Sequence, residues 1–203
     1  MIEKQSQGLI DIAELVFKFA NVNRATFYPD GKRMESDTDH TVMLSVIACA
    51  LADKLYKDTL GIGEVAQFAL IHDLVEAYAG DTISFDIKEE DKIDKEIREK
   101  EALERIKKEF DNVFPWIGKK IEEYDSLSTK EARFVKLLDK FMPKVTHCLN
   151  KGRFFQVNNI KKDYTVVYLG KQHNNLSEKF GDEFKELLLI LKDLNNKVVE
   201  KII

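Results

Sequence analysis

The chain is 203 residues long, with 44% hydrophobic and 33% charged residues and only 3 prolines and 9 glycines. That balance supports one substantial core rich in helix and excludes a disordered or all-β chain. A formal net charge of -4 argues against nucleic-acid binding as the main activity.

Gly8 to Ala20 repeats apolar residues at helical spacing (Leu9, Ile12, Ala13, Val16, Phe19) and predicts a first amphipathic helix. Asn21 to Arg33 reads as a loop around the turn Pro29-Asp30-Gly31, with proline at the second turn position and glycine at the fourth. Arg24 and Arg33 bracket that turn, and by themselves they read as surface arginines. Ser36 or Asp37 is placed to cap a helix running to about Tyr56, with His40 in its first turn. Taken alone, His40 reads as a satisfied core or cap residue rather than a metal ligand.

A helix from about Ile62 is expected to continue through His72, Asp73 and Glu76 to Gly80, with Gly80 in the left-handed conformation beyond its end. On such a helix His72 and Glu76 share one face, with Asp73 about 100° round from His72. Burying these groups among Leu70, Ile71, Leu74 and Val75 costs several kcal/mol unless they are paired or metal-bound. Residues 88 to 110 form a charged helix whose narrow apolar stripe holds Ile93, Ile97, Ala102, Leu103, Ile106 and Phe110. No chemistry is assigned to it.

A break at Pro115 precedes a helix over Lys119 to Tyr124. Ser128 or Thr129 can cap the next, with Glu131 near a capping-box position and Asp139 towards its end, where Lys136 or Lys140 can pair with it. Beyond Gly152 the pattern predicts loops at Asn158 to Tyr164 and Gly170 to Asn175 around a short helix. A last helix from Ser177 to Ile203 carries an apolar stripe (Phe180, Phe184, Leu187, Leu188, Leu191, Leu194, Val198, Ile202) that is core or a dimer seam. Cys49 and Cys148 lack CxxC spacing and read as reduced, buried thiols. His147 and His173 have no ligand-like neighbours. No run approaches about 18 apolar residues, and Met1-Ile2-Glu3-Lys4-Gln5 opens without a signal-peptide core, so a cytoplasmic protein with no membrane segment is expected. With no repeat or linker, one domain spanning 1–203 is expected.

His40, His72-Asp73 and Asp139 fall on three expected helices, and this order resembles the H…HD…D metal signature of the HD superfamily of phosphohydrolases. The surrounding words are similar to its 5′-deoxynucleotidase-like branch: Arg33-x-Glu35-Ser36-x-x-Asp39-His40, His72-Asp73-Leu74-x-Glu76-x-x-x-Gly80-Asp81, and Glu131-Ala132-Arg133-Phe134-Val135-Lys136-Leu137-Leu138-Asp139-Lys140. The likeness runs over about 8–150 and leaves 151–203 as a helical extension. It implies an all-α HD-domain helical bundle and a divalent metal held by His40, His72, Asp73 and Asp139. It also implies removal of the 5′-phosphate from nucleoside monophosphates. Two imidazoles and two carboxylates suit Mn²⁺, Co²⁺, Fe²⁺, Zn²⁺ or Mg²⁺ and leave room for water and phosphate.

Glu76, one turn beyond His72, is placed to orient or deprotonate a metal-bound water or to protonate the leaving oxygen. In the family, the residue matching Asp81 contacts the sugar hydroxyl and an arginine near Arg24 holds the phosphate, a part that Arg24 or Arg33 is expected to play here. A tryptophan beside that arginine in one family form excludes ribonucleotides; here the neighbour is Ala25. A homodimer is expected from family habit and the last stripe. The rival expectations are the same fold acting on a dinucleotide, triphosphate, cyclic nucleotide or other phosphate, and a non-catalytic nucleotide- or metal-sensing scaffold.

Overall fold

A computed structural model describes residues 2–202. The fold is all-α, with one two-stranded sheet among the described residues. Two compact units are built from interleaved segments: Met1–Arg24 with Ser36–Ala132, and Ala25–Glu35 with Arg133–Ile203. No helix is long and apolar enough to cross a membrane among the described residues.

The first unit carries α1 (Ile2–Ala20), α2 (Asp37–Tyr56), α3 (Ile62–Ile71), α4 (Glu76–Ala79), α5 (Glu89–Phe110) and α6 (Trp116–Asp125). Ser36 starts α2 through a reciprocal capping box, its hydroxyl accepting from the Asp39 N–H while Asp39 accepts from the Ser36 N–H at 3.0 Å. That start fixes the phase of the helix, which buries Asp37, His40, Thr41, Leu44, Ala48 and Ala52 on one stripe. The small alanines let α3 approach closely, and Val65, Phe68 and Ile71 come from that side, with Tyr124 of α6 closing over Phe68. Each large apolar side chain taken fully out of water stabilises the fold by about 1.5–3 kcal/mol.

The expected helix from 62 to 80 is broken. Residues 72–75 are tightened turns, in which Leu74, Glu76, Ala77 and Tyr78 each donate to the carbonyl three residues back. Three residues per turn aligns positions i and i+3, so Asp73 rather than His72 shares a face with Glu76. Gly80 ends α4 with φ 72 and ψ 153, not the left-handed helical geometry expected but a region open to glycine alone. Along α5 the buried stripe holds Ala102, Ile106 and Phe110, whereas Ile93 and Ile97 are about half exposed. The same stripe continues towards the helix start through Arg98 and Lys95.

The second unit carries most of β1 (Asn23–Phe27) and β2 (Met34–Ser36), then α7 (Lys130–Asp139) from Arg133 onward, α8 (Met142–Leu149), α9 (Arg153–Val157), α10 (Lys162–Phe180) and α11 (Lys185–Lys201). The segment expected to be a plain loop is therefore a hairpin. Its turn is the predicted one, closed by Gly31 N–H to the Tyr28 carbonyl at 2.8 Å. Thr129 caps α7 by accepting from the Ala132 N–H, but Glu131 reaches Gly61 at the start of α3 instead of its own helix end. The expected loop at 170–175 is the middle of α10. Most of the last stripe is core: Phe180, Phe184, Leu187, Leu188, Leu191, Val198 and Ile202 are buried, and Leu194 is half-buried. Cys49 and Cys148, expected to be buried, are free and only half-buried.

Candidate metal centre

His40 and His72 approach ring to ring, Nε2 to Nε2, at 3.2 Å, with Asp73 Oδ2 3.0 Å from His72 Nε2 and 3.9 Å from His40 Nε2. One ligand atom from each lies within 4.8 Å of the others. His72 Nδ1 is 2.9 Å from the Ala69 carbonyl; an oxygen there can only accept, so Nδ1 bears the proton and Nε2 turns its lone pair inward. Two buried imidazole nitrogens and a carboxylate converging in this way fit a divalent cation, which relieves lone pairs that would otherwise face each other. Asp139 closes α7 in the second unit, buried, with Lys140 Nζ 2.7 Å from its Oδ2.

Asp37, Glu76 and Asp81 form a second group whose carboxylate oxygens lie within 4.8 Å of one another. Asp37 Oδ2 and Glu76 Oε2 are buried without a hydrogen bond. Burial, together with Asp73, Asp81 and Glu76's neighbour Asp37, pushes the Glu76 carboxyl up to about 10 against the pull of Lys95. Burial likewise raises Asp37 to about 6, opposed by Arg24 and reinforced by Asp73 and Asp81. Burial and the neighbouring carboxylates thus hold Glu76 well above the usual carboxylate range, and the group is a further place where a cation can sit.

Arg24 is drawn into this acid group. Its NH1 lies 3.0 Å from both Asp37 Oδ1 and Asp73 Oδ2 and 3.7 Å from Glu76 Oε2. Arg33 is exposed instead, lying over the Tyr28 ring at 3.3 Å and donating to the Met34 carbonyl. Three residues with no role in the sequence reading also belong here. Asp37 had read only as a cap. Lys95 Nζ stands 3.2 Å from Glu76 Oε1, and Arg98 donates to the Ala79 carbonyl and to Thr82 Oγ1, pinning the segment that presents Asp81. Their i,i+3 spacing in line with Ala102 and Ile106 was the available signal.

A helical bundle that joins two histidines and an aspartate of an H…HD order, beside buried acids, is the arrangement of an HD-type divalent-metal site. The chain belongs to the HD-domain family, whose profile matches residues 18–185. It is 31% identical over 137 residues to the 5′-deoxynucleotidase HDDC2 of Homo sapiens, covering 66% of this chain and 64% of that protein. To the HDDC2 of Xenopus laevis it is 33% identical over 139 residues, with 66% and 65% covered. The chain therefore spans just under two thirds of these relatives. Among solved structures, its fold is similar to a "predicted metal-dependent phosphohydrolase" of Magnetospirillum magnetotacticum MS-1, with TM-score 0.77, 24% identity, and 99% and 96% of the chains covered. A conserved hypothetical protein of Pyrococcus furiosus matches with TM-score 0.62, 22% identity, and 91% and 99% covered.

Proposed function

We propose that this protein is a 5′-nucleotidase that hydrolyses the phosphate ester of nucleoside 5′-monophosphates. The observation that carries the proposal is the buried acid Glu76, held beside the His40–His72–Asp73 set together with Asp81 and Arg24. The likeness to 5′-deoxynucleotidases supports the same substrate class.

In this reading His40, His72 and Asp73 hold the divalent ion, and Asp139 joins them on the strength of the H…HD…D order. The ion supplies Lewis acidity for hydrolysis at neutral pH and shields the phosphoryl oxygens. Glu76 takes the proton of the attacking water and passes it to the departing 5′-oxygen as water's oxygen bonds to phosphorus and the ester P–O bond breaks. Lys95 fixes that carboxyl through Oε1. Arg24 brings a guanidinium fork to the phosphate, and Asp81 accepts from a sugar hydroxyl. Ala25 leaves the neighbouring position without a bulky ring, so a preference for deoxyribonucleotides is not expected from it.

Phosphate release from a panel of ribo- and deoxyribonucleoside monophosphates, with triphosphates and bis(4-nitrophenyl) phosphate alongside, tests this. Activity on the monophosphates should vanish with EDTA and return with Mn²⁺, Co²⁺ or Mg²⁺. Turnover confined to triphosphates or the diester would move the substrate and keep the site.

A further inference from the structure

We propose that the groove between α10 and α11 binds a small organic anion that carries an apolar ring and a hydrogen-bond donor. The site lies wholly in the second unit. Its α11 side falls beyond residue 185, where the family match ends.

The groove has a volume of about 330 Å³ and is formed by successive turns of two helices, with Val166, Leu169, Gly170 and His173 from α10 facing Lys192, Asn195 and Val199 from α11. That is within the size range of small-ligand sites. Two features mark this groove. First, Asn195 is 7% exposed, yet its Oδ1 has no hydrogen-bond partner, and neither has the buried Nδ1 of His173. A buried acceptor left unpaired costs about 1–3 kcal/mol, so Asn195 calls for a donor from outside. Second, Gly170 stands mid-helix, where glycine costs about 1 kcal/mol relative to alanine. A Cβ built there meets nothing within 4 Å. Gly170 is an exposed residue of the groove lining, so a longer side chain there has open space into which to project.

The lining sets the ligand class. Lys192 is its one formal charge and no carboxylate joins it, in a chain with 36 acidic residues against 32 Lys and Arg. An anionic group therefore lies towards Lys192 and His173. Val166, Leu169 and Val199 offer an apolar wall for a ring, and Asn195 Oδ1 takes a hydroxyl or amine proton.

The test is NMR of the histidine ring resonances of the full chain, assigning His173 with a His173→Gln variant. The chain has only 4 histidines, so the spectrum is readable. 4-Hydroxybenzoate should shift the His173 signals saturably, and benzoate, which lacks the donor, should bind about tenfold more weakly. Acetate, inorganic phosphate and the neutral 4-hydroxybenzamide should each be weaker again. Lys192→Ala should reduce affinity about tenfold or more, and Gly170→Leu should abolish binding while its melting temperature stays at or above wild type. The proposal is overturned if no organic anion shifts His173 by about 10 mM, or if the shift is unchanged in Gly170→Leu.

Discussion

Replacing Lys144 by methionine should change how stability depends on pH. Lys144 is 5% exposed and donates to Gln172 Oε1 at 2.6 Å. Burial, with Lys140 adding to it and Asp139 opposing, pulls its pKa from 10.5 down to about 7. Between these values the unfolded chain binds the proton and the folded one does not, so stability rises with pH across the window. Below pH 7 the full penalty of the buried charge is present. One proton corresponds to about 1.4 kcal/mol per pH unit, or about 3 kcal/mol between about pH 7.5 and 9.5. Urea unfolding of wild type and Lys144→Met at about pH 7.5, 8.5 and 9.5 reads this as a difference, from which other titrating groups cancel. The variant should match or exceed wild type at the lowest pH, less about 1–3 kcal/mol for the orphaned Gln172 acceptor, and should lose ground steadily as pH rises. Parallel pH profiles for the two proteins would refute the reasoning, because they would mean Lys144 stays charged when buried.

His40→Ala should lower bound metal after equilibration with Mn²⁺, measured by elemental analysis of the desalted protein. Glu76→Gln should keep its metal and lose about 10²–10⁴-fold in turnover; a wild-type rate would remove Glu76 as proton donor. Arg24→Ala should raise KM for monophosphates and, by stripping Asp37 Oδ1 of its partner, cost about 1–3 kcal/mol in thermal unfolding. Gly8→Ala places a methyl 2.7 Å from Phe114 Cε2, and overpacking of this kind should destabilise by about 1–3 kcal/mol in the same assay.

The site was legible where chemistry-bearing residues interrupt apolar runs: His72, Asp73 and Glu76 among Leu and Val, and His40 at the head of an apolar helix. Residues whose types suit a solvated surface hid their roles. Lys95 and Arg98 sit in a segment so charged that pairing along the helix explains them without a tertiary partner. Asp37 had a sufficient local explanation as a cap. The hairpin was missed because strands of 5 and 3 residues are too short for alternation to show. The middle of α10 was missed because Gly170 and the asparagines at 174 and 175 mimic a turn, whereas α10 continues through them and packs against α11. Nor does spacing reveal the tightening at 72–75, since the same residues satisfy either winding.

The interleaving of the two units sets a timetable for synthesis. Glu35, 3% exposed, accepts from Thr146 Oγ1 across 111 positions, and Asn150 donates to the Phe27 carbonyl across 123. At about 5–20 residues per second, the hairpin leaves the ribosome many seconds before the segment that buries it. During that interval its carboxylate can remain hydrated and its strand edges open, a state in which capture by a chaperone or by another nascent chain competes with folding. Chains released early, before about residue 150, would carry an orphaned hairpin for their whole lifetime, which makes the 25–35 segment the natural place to look for the marks of failed synthesis.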